Sequence, residues 1–170
     1  MIHNWHATSP PGVEGHRHAR LMRQVPALEN RSQPMAPLKT YIVEDSQVIR
    51  ENLIATLEEL GPVEVVGTAE DESTAVQWLT RSSNHFDLVI IDIFLKGGSG
   101  LGVLRATNGL PQRHKMVVLS NYATPDMRRK CLELGADRVF DKSNDIDTLI
   151  QNCERLAAAD GRSGGPVAPG

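Results

Sequence analysis

The chain has 170 residues, 18 of them basic and 21 acidic, a formal net charge of -3 and 40% apolar residues. That length suits one domain with tails and a real core, and the acid is concentrated: residues 38–156 carry 13 basic against 18 acidic side chains, residues 1–37 carry 4 against 2. A mildly acidic body argues against a nucleic-acid-binding surface, and no apolar run reaches the roughly 18 residues of a membrane span.

Residues 1–37 are rich in Pro, His, Arg and Gly without either structural period, so they are expected to be a disordered extension, with at most one helical turn over residues 20–25. After Met1, His, Asn and Pro stand where a signal peptide would have its apolar stretch. Met35 immediately precedes the first ordered element and is read as an alternative start. Residues 39–43 form a first strand ending in Glu44-Asp45, and residues 46–60 a helix with Ile49, Leu53, Leu57 and Leu60 as its apolar stripe. Gly61-Pro62 stops that helix. A second strand covers 63–69, where Glu64 breaks the apolar run as at a sheet edge. A second helix covers 71–81, with Trp78 read as packing.

Leu88-Val89-Ile90-Ile91, held between Asp87 and Asp92, is a strand buried on both faces, and it leaves Asp92 at its C-terminal tip. Gly97-Gly98-Ser99-Gly100 lacks the pattern of a phosphate-cradling loop and is read as a tight turn into a third helix, closed by Asn108-Gly109. Residues 115–119 make a fourth strand with Ser120-Asn121-Tyr122 at its tip. Thr124-Pro125 opens a fourth helix that Gly135 ends. Residues 138–140 are a short fifth strand followed by Asp141-Lys142-Ser143. A last helix runs from Asp145 to about Ala157, with Ile146, Leu149, Ile150 and Cys153 on one face, and residues 158–170 are a frayed tail. Cys131 and Cys153 are read as buried apolar fillers.

Five strands alternating strictly with five helices call for a parallel sheet covered on both faces, because right-handed crossovers leave no simpler arrangement. Glu44, Asp45, Asp92, Ser120 and Lys142 then meet at the edge formed by the strand tips, where open α/β sheets bind ligands. Three carboxylates there repel one another unless a cation intervenes. Mg²⁺, which takes one or two carboxylates plus waters, suits the count. With an ammonium, a hydroxyl and a carboxylate nucleophile, such a rim can stabilise a transferring phosphoryl group.

At this point the sequence resembles the receiver domain of bacterial two-component response regulators, over about Leu38 to Leu156. The resemblance rests on Glu44-Asp45 after an apolar strand, Asp92 after Leu-Val-Ile-Ile, Gly100 eight residues later, Ser120 after Val-Val-Leu, Gly135-Ala136-Asp137, and Lys142 after Val-Phe-Asp. It implies a doubly wound, flavodoxin-like (βα)5 fold with strand order 2-1-3-4-5, spanning residues 38–157. It also implies phosphoryl transfer from a sensor histidine kinase or histidine phosphotransfer protein to Asp92. Glu44, Asp45, Asp92 and the Phe94 carbonyl would hold Mg²⁺, Lys142 would pair with the phosphoryl oxygens, and Ser120 would move inward to hydrogen-bond them. The surface of helix four, strand five and helix five would then change for a downstream protein target. The expected setting is the cytoplasm, without membrane or nucleic-acid contact and without enzymatic turnover beyond self-phosphorylation and autodephosphorylation.

The pattern departs from the family in places. Lys96 and Ser143 stand where Pro is usual, and Val139 stands where an aromatic switch residue is usual; Phe140, one place later, should face the opposite side. Tyr122 is a candidate substitute, and Phe94 and Tyr122 together would border the phosphoryl group and slow its hydrolysis. Nothing after the last helix resembles an output domain, so the chain reads as a stand-alone receiver. Arg128, Arg129 and Lys130 against Asp137, Asp141 and Asp145 could pair a homodimer, although exposed charges are more often simply solvated. Two alternatives stay open. One is a receiver-like binding module that never takes up phosphate, which the intact acidic pair, Asp92, Ser120 and Lys142 argue against. The other is an aspartyl-phosphate phosphatase, which would want a second Asp two residues past the nucleophile, where Phe94 stands.

Overall fold

The structure, a computed structural model, describes residues 35–111 and 114–162. The expectations for residues 1–34 and 163–170 lie outside them. Among the described residues ten elements alternate: β1 (Leu38–Val43), α1 (Gln47–Leu60), β2 (Val63–Ala69), α2 (Glu72–Leu79), β3 (Leu88–Ile91), α3 (Gly100–Thr107), β4 (Lys115–Ser120), α4 (Pro125–Glu133), β5 (Arg138–Asp141) and α5 (Ile146–Arg162). The five strands make one parallel sheet in the order β2-β1-β3-β4-β5, which is the expected doubly wound arrangement. β2 is an edge strand, as Glu64 suggested, and Glu64 is exposed.

The period-2 alternation of the strands separates two cores. Tyr41, Val43, Val89, Ile91, Val118 and Val139 face α2, α3 and α4, where they meet Ala75, Leu79, Val103, Leu104 and Cys131. Ile42, Leu88, Ile90, Val117, Leu119 and Phe140 face α1 and α5, where they meet Leu53, Leu57, Leu149, Ile150 and Cys153. β3 is buried at all four positions because it lies between β1 and β4 with helices on both sides. Each fully buried aliphatic side chain contributes roughly 1.5–3 kcal/mol relative to exposure, so this layer dominates the stability. Trp78 stacks on Tyr41 with ring centroids 4.1 Å apart and packs against Phe86. Its role is packing.

Local chemistry starts the helices. Ser46, Asp71, Ser99 and Thr124 each accept a backbone N–H of the first turn that would otherwise lack a partner, and Pro125 follows Thr124 at the first position of α4. Four expectations need correction. The α1 stripe is narrower than its sequence pattern: Leu53 and Leu57 are buried, but Ile49 and Leu60 are exposed, and Ile54 packs against the core instead. Ile49, in the first turn, lines the open cleft with Glu44 and Asp92 instead of the closed core, and Leu60 is the last residue of the helix. The last helix also continues through residues 158–162 to Arg162, because Ala157 is still buried against the α1 side of the sheet and anchors another turn. The fifth strand likewise includes Asp141, and the second helix is shorter than expected, Glu72–Leu79, with Asp71 as its cap.

Candidate functional site

The site is built by backbone continuing past the strand ends. The Glu44 N–H donates to the Ala69 carbonyl at 3.0 Å and the Asp92 N–H to the Val43 carbonyl at 2.9 Å, which extends the parallel ladder by one rung and sets the two acids side by side. One carboxylate oxygen from each of Glu44, Asp45 and Asp92 lies within 4.8 Å of the others. From the far side, the Lys142 N–H donates to the Ser120 carbonyl at 3.2 Å, fixing the β5 tip against the β4 tip. The Lys142 ammonium then donates to Asp92 Oδ2 at 2.8 Å and to Glu44 Oε2. All six residues named from the sequence, Glu44, Asp45, Asp92, Phe94, Ser120 and Lys142, line one cleft of about 360 Å³.

Burial sets the electrostatics. Glu44 is buried, and that desolvation pushes its carboxyl above its usual range despite the Lys142 ammonium and the Ser46 N–H, which oppose the shift. Burial works to lower the Lys142 pKa, but the ion pairs with Asp92 and Glu44 outweigh it and hold the ammonium above its ordinary value. A single cation therefore bridges two of the three clustered acids and balances the charge of only one. Ser120 is fully buried, and its hydroxyl accepts the Tyr122 N–H at 3.2 Å. Phe94 and Tyr122 meet edge to face across the mouth of the cleft, ring centroids 4.8 Å apart, and both residues are more than half exposed.

Oxygen-only donors carrying more acid than Lys142 can balance fit a hard divalent cation. Several supporting groups were not read from the sequence. Arg50, one turn into α1, donates to the Glu44 carbonyl at 2.8 Å and to Glu70 at 3.1 Å, while Lys96 pairs with the same Glu70 at 3.5 Å. The only available signal was an arginine six residues after Glu44, pointing back along α1. Glu72 accepts the Ser99 N–H at 2.8 Å, a contact that the sequence pattern does not signal.

A doubly wound sheet with an acidic pair, a third acid, a buried hydroxyl and a lysine on its carboxyl rim defines the class. Residues 40–154 match the family model for the response regulator receiver domain, and the chain belongs to that family, the receiver domains of two-component systems. It is 29% identical over 148 residues to a gliding motility regulatory protein from Myxococcus xanthus, covering 85% of this chain and 18% of that protein. To the fimbriae Z protein of Salmonella typhimurium it is 24% identical, covering 68% and 54%. The chain thus spans between about a fifth and about half of these two relatives. Among solved structures it resembles a LuxR-family two-component response regulator from Aurantimonas (TM-score 0.64, 23% identity, 72% and 86% covered). It also resembles a Burkholderia pseudomallei response regulator crystallised with a phosphorylated aspartic acid, calcium ion and citrate (TM-score 0.58, 20% identity, 77% and 75% covered). No helix among the described residues is long and apolar enough to cross a membrane.

Proposed function

We propose that the chain is a phosphoacceptor receiver that takes a phosphoryl group from a phosphohistidine of a sensor kinase or phosphotransfer protein onto Asp92. The observation that carries this reading is the joint grip of Lys142 on Asp92 and Glu44, residues 50 and 98 positions away in the chain, inside a cleft that also holds Asp45 and Ser120.

An Asp92 oxygen bonds to phosphorus as the P–N bond of the donor breaks, and the departing electron pair stays on the imidazole, which takes up a proton. Lys142 stays with the phosphoryl oxygens and offsets their charge, and the Ser120 hydroxyl, released from Tyr122, donates to one of them. Glu44, Asp45, Asp92 and the Phe94 carbonyl would hold Mg²⁺, which supplies charge neutralisation at the transferring group. Ser120 shares its loop with Tyr122, Ala123 and the start of α4, so its inward movement draws on the surface of α4, β5 and α5. A downstream protein reads that surface, in the cytoplasm.

Intact-mass measurement after incubation with Mg²⁺ and acetyl phosphate tests the reading. The expected result is one phosphoryl group per chain, absent in Asp92→Asn and absent when the cation is chelated. No gain in mass would leave a binding module. Continuous release of phosphate from a small phosphodonor would make the chain a phosphatase.

A further inference from the structure

Glu72 opens α2, yet it is not needed there as a cap, since Asp71 already accepts the Thr74 N–H at 2.8 Å. Its carboxylate instead crosses to the start of α3 and accepts the Ser99 N–H at 2.8 Å, while its own N–H donates to the Gly97 carbonyl at 2.9 Å. The β3–α3 loop is therefore held at two nearby residues by one residue of another helix. The positive end of α3 favours a carboxylate in that place.

The loop is cleared for this side chain. A Cβ at Gly98 would stand 2.3 Å from a Glu72 carboxylate oxygen, and one at Gly102 would stand 2.2 Å from the carboxyl carbon. Gly98 has a φ of +75° and needs glycine for its backbone alone. Gly102 does not: it lies inside α3, where glycine costs about 1 kcal/mol relative to alanine. The carboxylate of Glu72 is the local reason for it.

The gripped residue reaches the site only through Phe94, which lines the cleft. Ser99 forms an isolated antiparallel bridge with Phe94, and the Gly100 N–H donates to the Ile93 carbonyl at 2.8 Å. Fixing Ser99 thus fixes the backbone of Phe94. The other tether on this loop, Lys96 to Glu70 at 3.5 Å, is exposed and weak.

We propose that Glu72 is a positioning residue for the divalent cation: by clamping Ser99 it holds the Phe94 carbonyl in place. This rests on the reading of Asp92 as a Mg²⁺-dependent phosphoacceptor. The test is calorimetric titration of the full chain with Mg²⁺, thermal melts without it, and the rate of labelling by acetyl phosphate as Mg²⁺ is varied. Glu72→Ala weakens Mg²⁺ binding by about tenfold, the lower end for losing a partner behind a metal ligand, and leaves the rate at saturating Mg²⁺ unchanged. Glu72→Gln, whose amide oxygen still accepts the Ser99 N–H, recovers part of the affinity. Gly102→Ala expels the carboxylate, so it lowers both Mg²⁺ affinity and the melting temperature when Glu72 is present. In the Glu72→Ala background it leaves affinity alone and raises the melting temperature, as alanine does in a helix.

Unchanged Mg²⁺ affinity in Glu72→Ala, with only the melting temperature lowered, overturns the proposal and leaves a purely structural clamp. An equal penalty for Gly102→Ala with and without Glu72 also overturns it. Failure of the underlying reading looks different: Mg²⁺ then fails to bind the wild type, or binds it as tightly as it binds Asp92→Asn.

Discussion

Replacing Lys142 with Ala is the perturbation that the site's electrostatics resolve most sharply. The Lys142 side chain is 11% exposed, and those of its two partners, Glu44 and Asp92, are 3% and 12% exposed, so the cluster behaves as a buried ion pair. Removing one member of such a pair costs about 3–5 kcal/mol, because the charge left behind is uncompensated. Here two carboxylates are left, with Asp45 beside them, but the cleft is open and water reaches Asp92, so the lower figure applies. A loss of about 3 kcal/mol is a large part of a typical domain's 5–15 kcal/mol and lowers the melting temperature by roughly 10 °C in a chain of this size. The loss should depend on conditions in two ways. Burial already holds the Glu44 carboxyl above its usual range while Lys142 pulls it down. Without the lysine it rises further, and a carboxyl raised in the fold costs stability once ionised and recovers it as the pH falls. The variant therefore regains stability relative to wild type between pH 7 and 5. Millimolar Mg²⁺ also narrows the gap, since it replaces the missing positive charge. Urea unfolding followed by far-ultraviolet circular dichroism measures both. A deficit that ignores both pH and Mg²⁺ would show that Lys142 acts through packing of its stem, and the charge accounting would be wrong.

Phe94→Asn removes one side of the aromatic pair at the mouth of the cleft, and the phosphorylated form should then decay about tenfold faster, equivalent to roughly 1.4 kcal/mol less barrier; an unchanged half-life would remove Phe94 as a partial water barrier. Burial pushes the Cys153 thiol from 9.0 up to about 11. The fold thus keeps a proton that the unfolded chain loses, and stability falls by roughly 2–3 kcal/mol as pH rises from 9 to 11; Cys153→Ala should flatten that part of the unfolding profile. Arg128 donates to the Ala123 carbonyl at 2.9 Å and to the Val139 carbonyl at 2.7 Å, and pairs with Asp145 at 3.5 Å. Arg128→Ala should cost about 1–3 kcal/mol and raise amide exchange at residues 121–124 and 139–141 together, whereas a rise at only one of the two segments would mean that the arginine does not join them.

The fold was legible because its signal is periodic. Four unbroken apolar residues between Asp87 and Asp92 require cover on both sides, and only a central strand receives it. Once the five units alternate, topology brings the strand tips together, so Glu44, Asp45, Asp92, Ser120 and Lys142 could be named from order alone. The α1 stripe misled because periodicity reports which residues share a face and not whether closed core lies beneath each of them: Ile49 and Leu60 lie on the right side and still protrude. Glu72 and Arg50 escaped for a related reason, as did the bonds within the chain of Arg128, which the sequence offered only as a charge for a homodimer. Each acts by a side chain thrown from one helix onto backbone elsewhere, Ser99, Glu44 and Val139 respectively. Such contacts depend on helix rotation and rotamer, which leave no spacing in the chain.

Val139 is on the opposite face of β5 from Phe140. It faces the core under α4, next to Val118, whereas Phe140 faces the α5 side with Leu119, so the one aromatic on β5 cannot swing toward the loop beyond Ser120 without the strand turning over. What touches that loop instead is Arg128, whose guanidinium joins the Ala123 carbonyl to the β5 backbone beside Val139 and to Asp145 before α5. A displacement of residues 121–123 then strains hydrogen bonds to β5 directly, with no rotamer change in between. Such a linkage is stiff, and its response to a new phosphoryl group should be a small shift of α4 against β5 and α5 rather than the burial of a ring. On the proposed reading, Arg128→Ala should uncouple that shift from Ser120 and leave the rate of labelling by acetyl phosphate unchanged, which would separate the chemistry of the rim from its transmission.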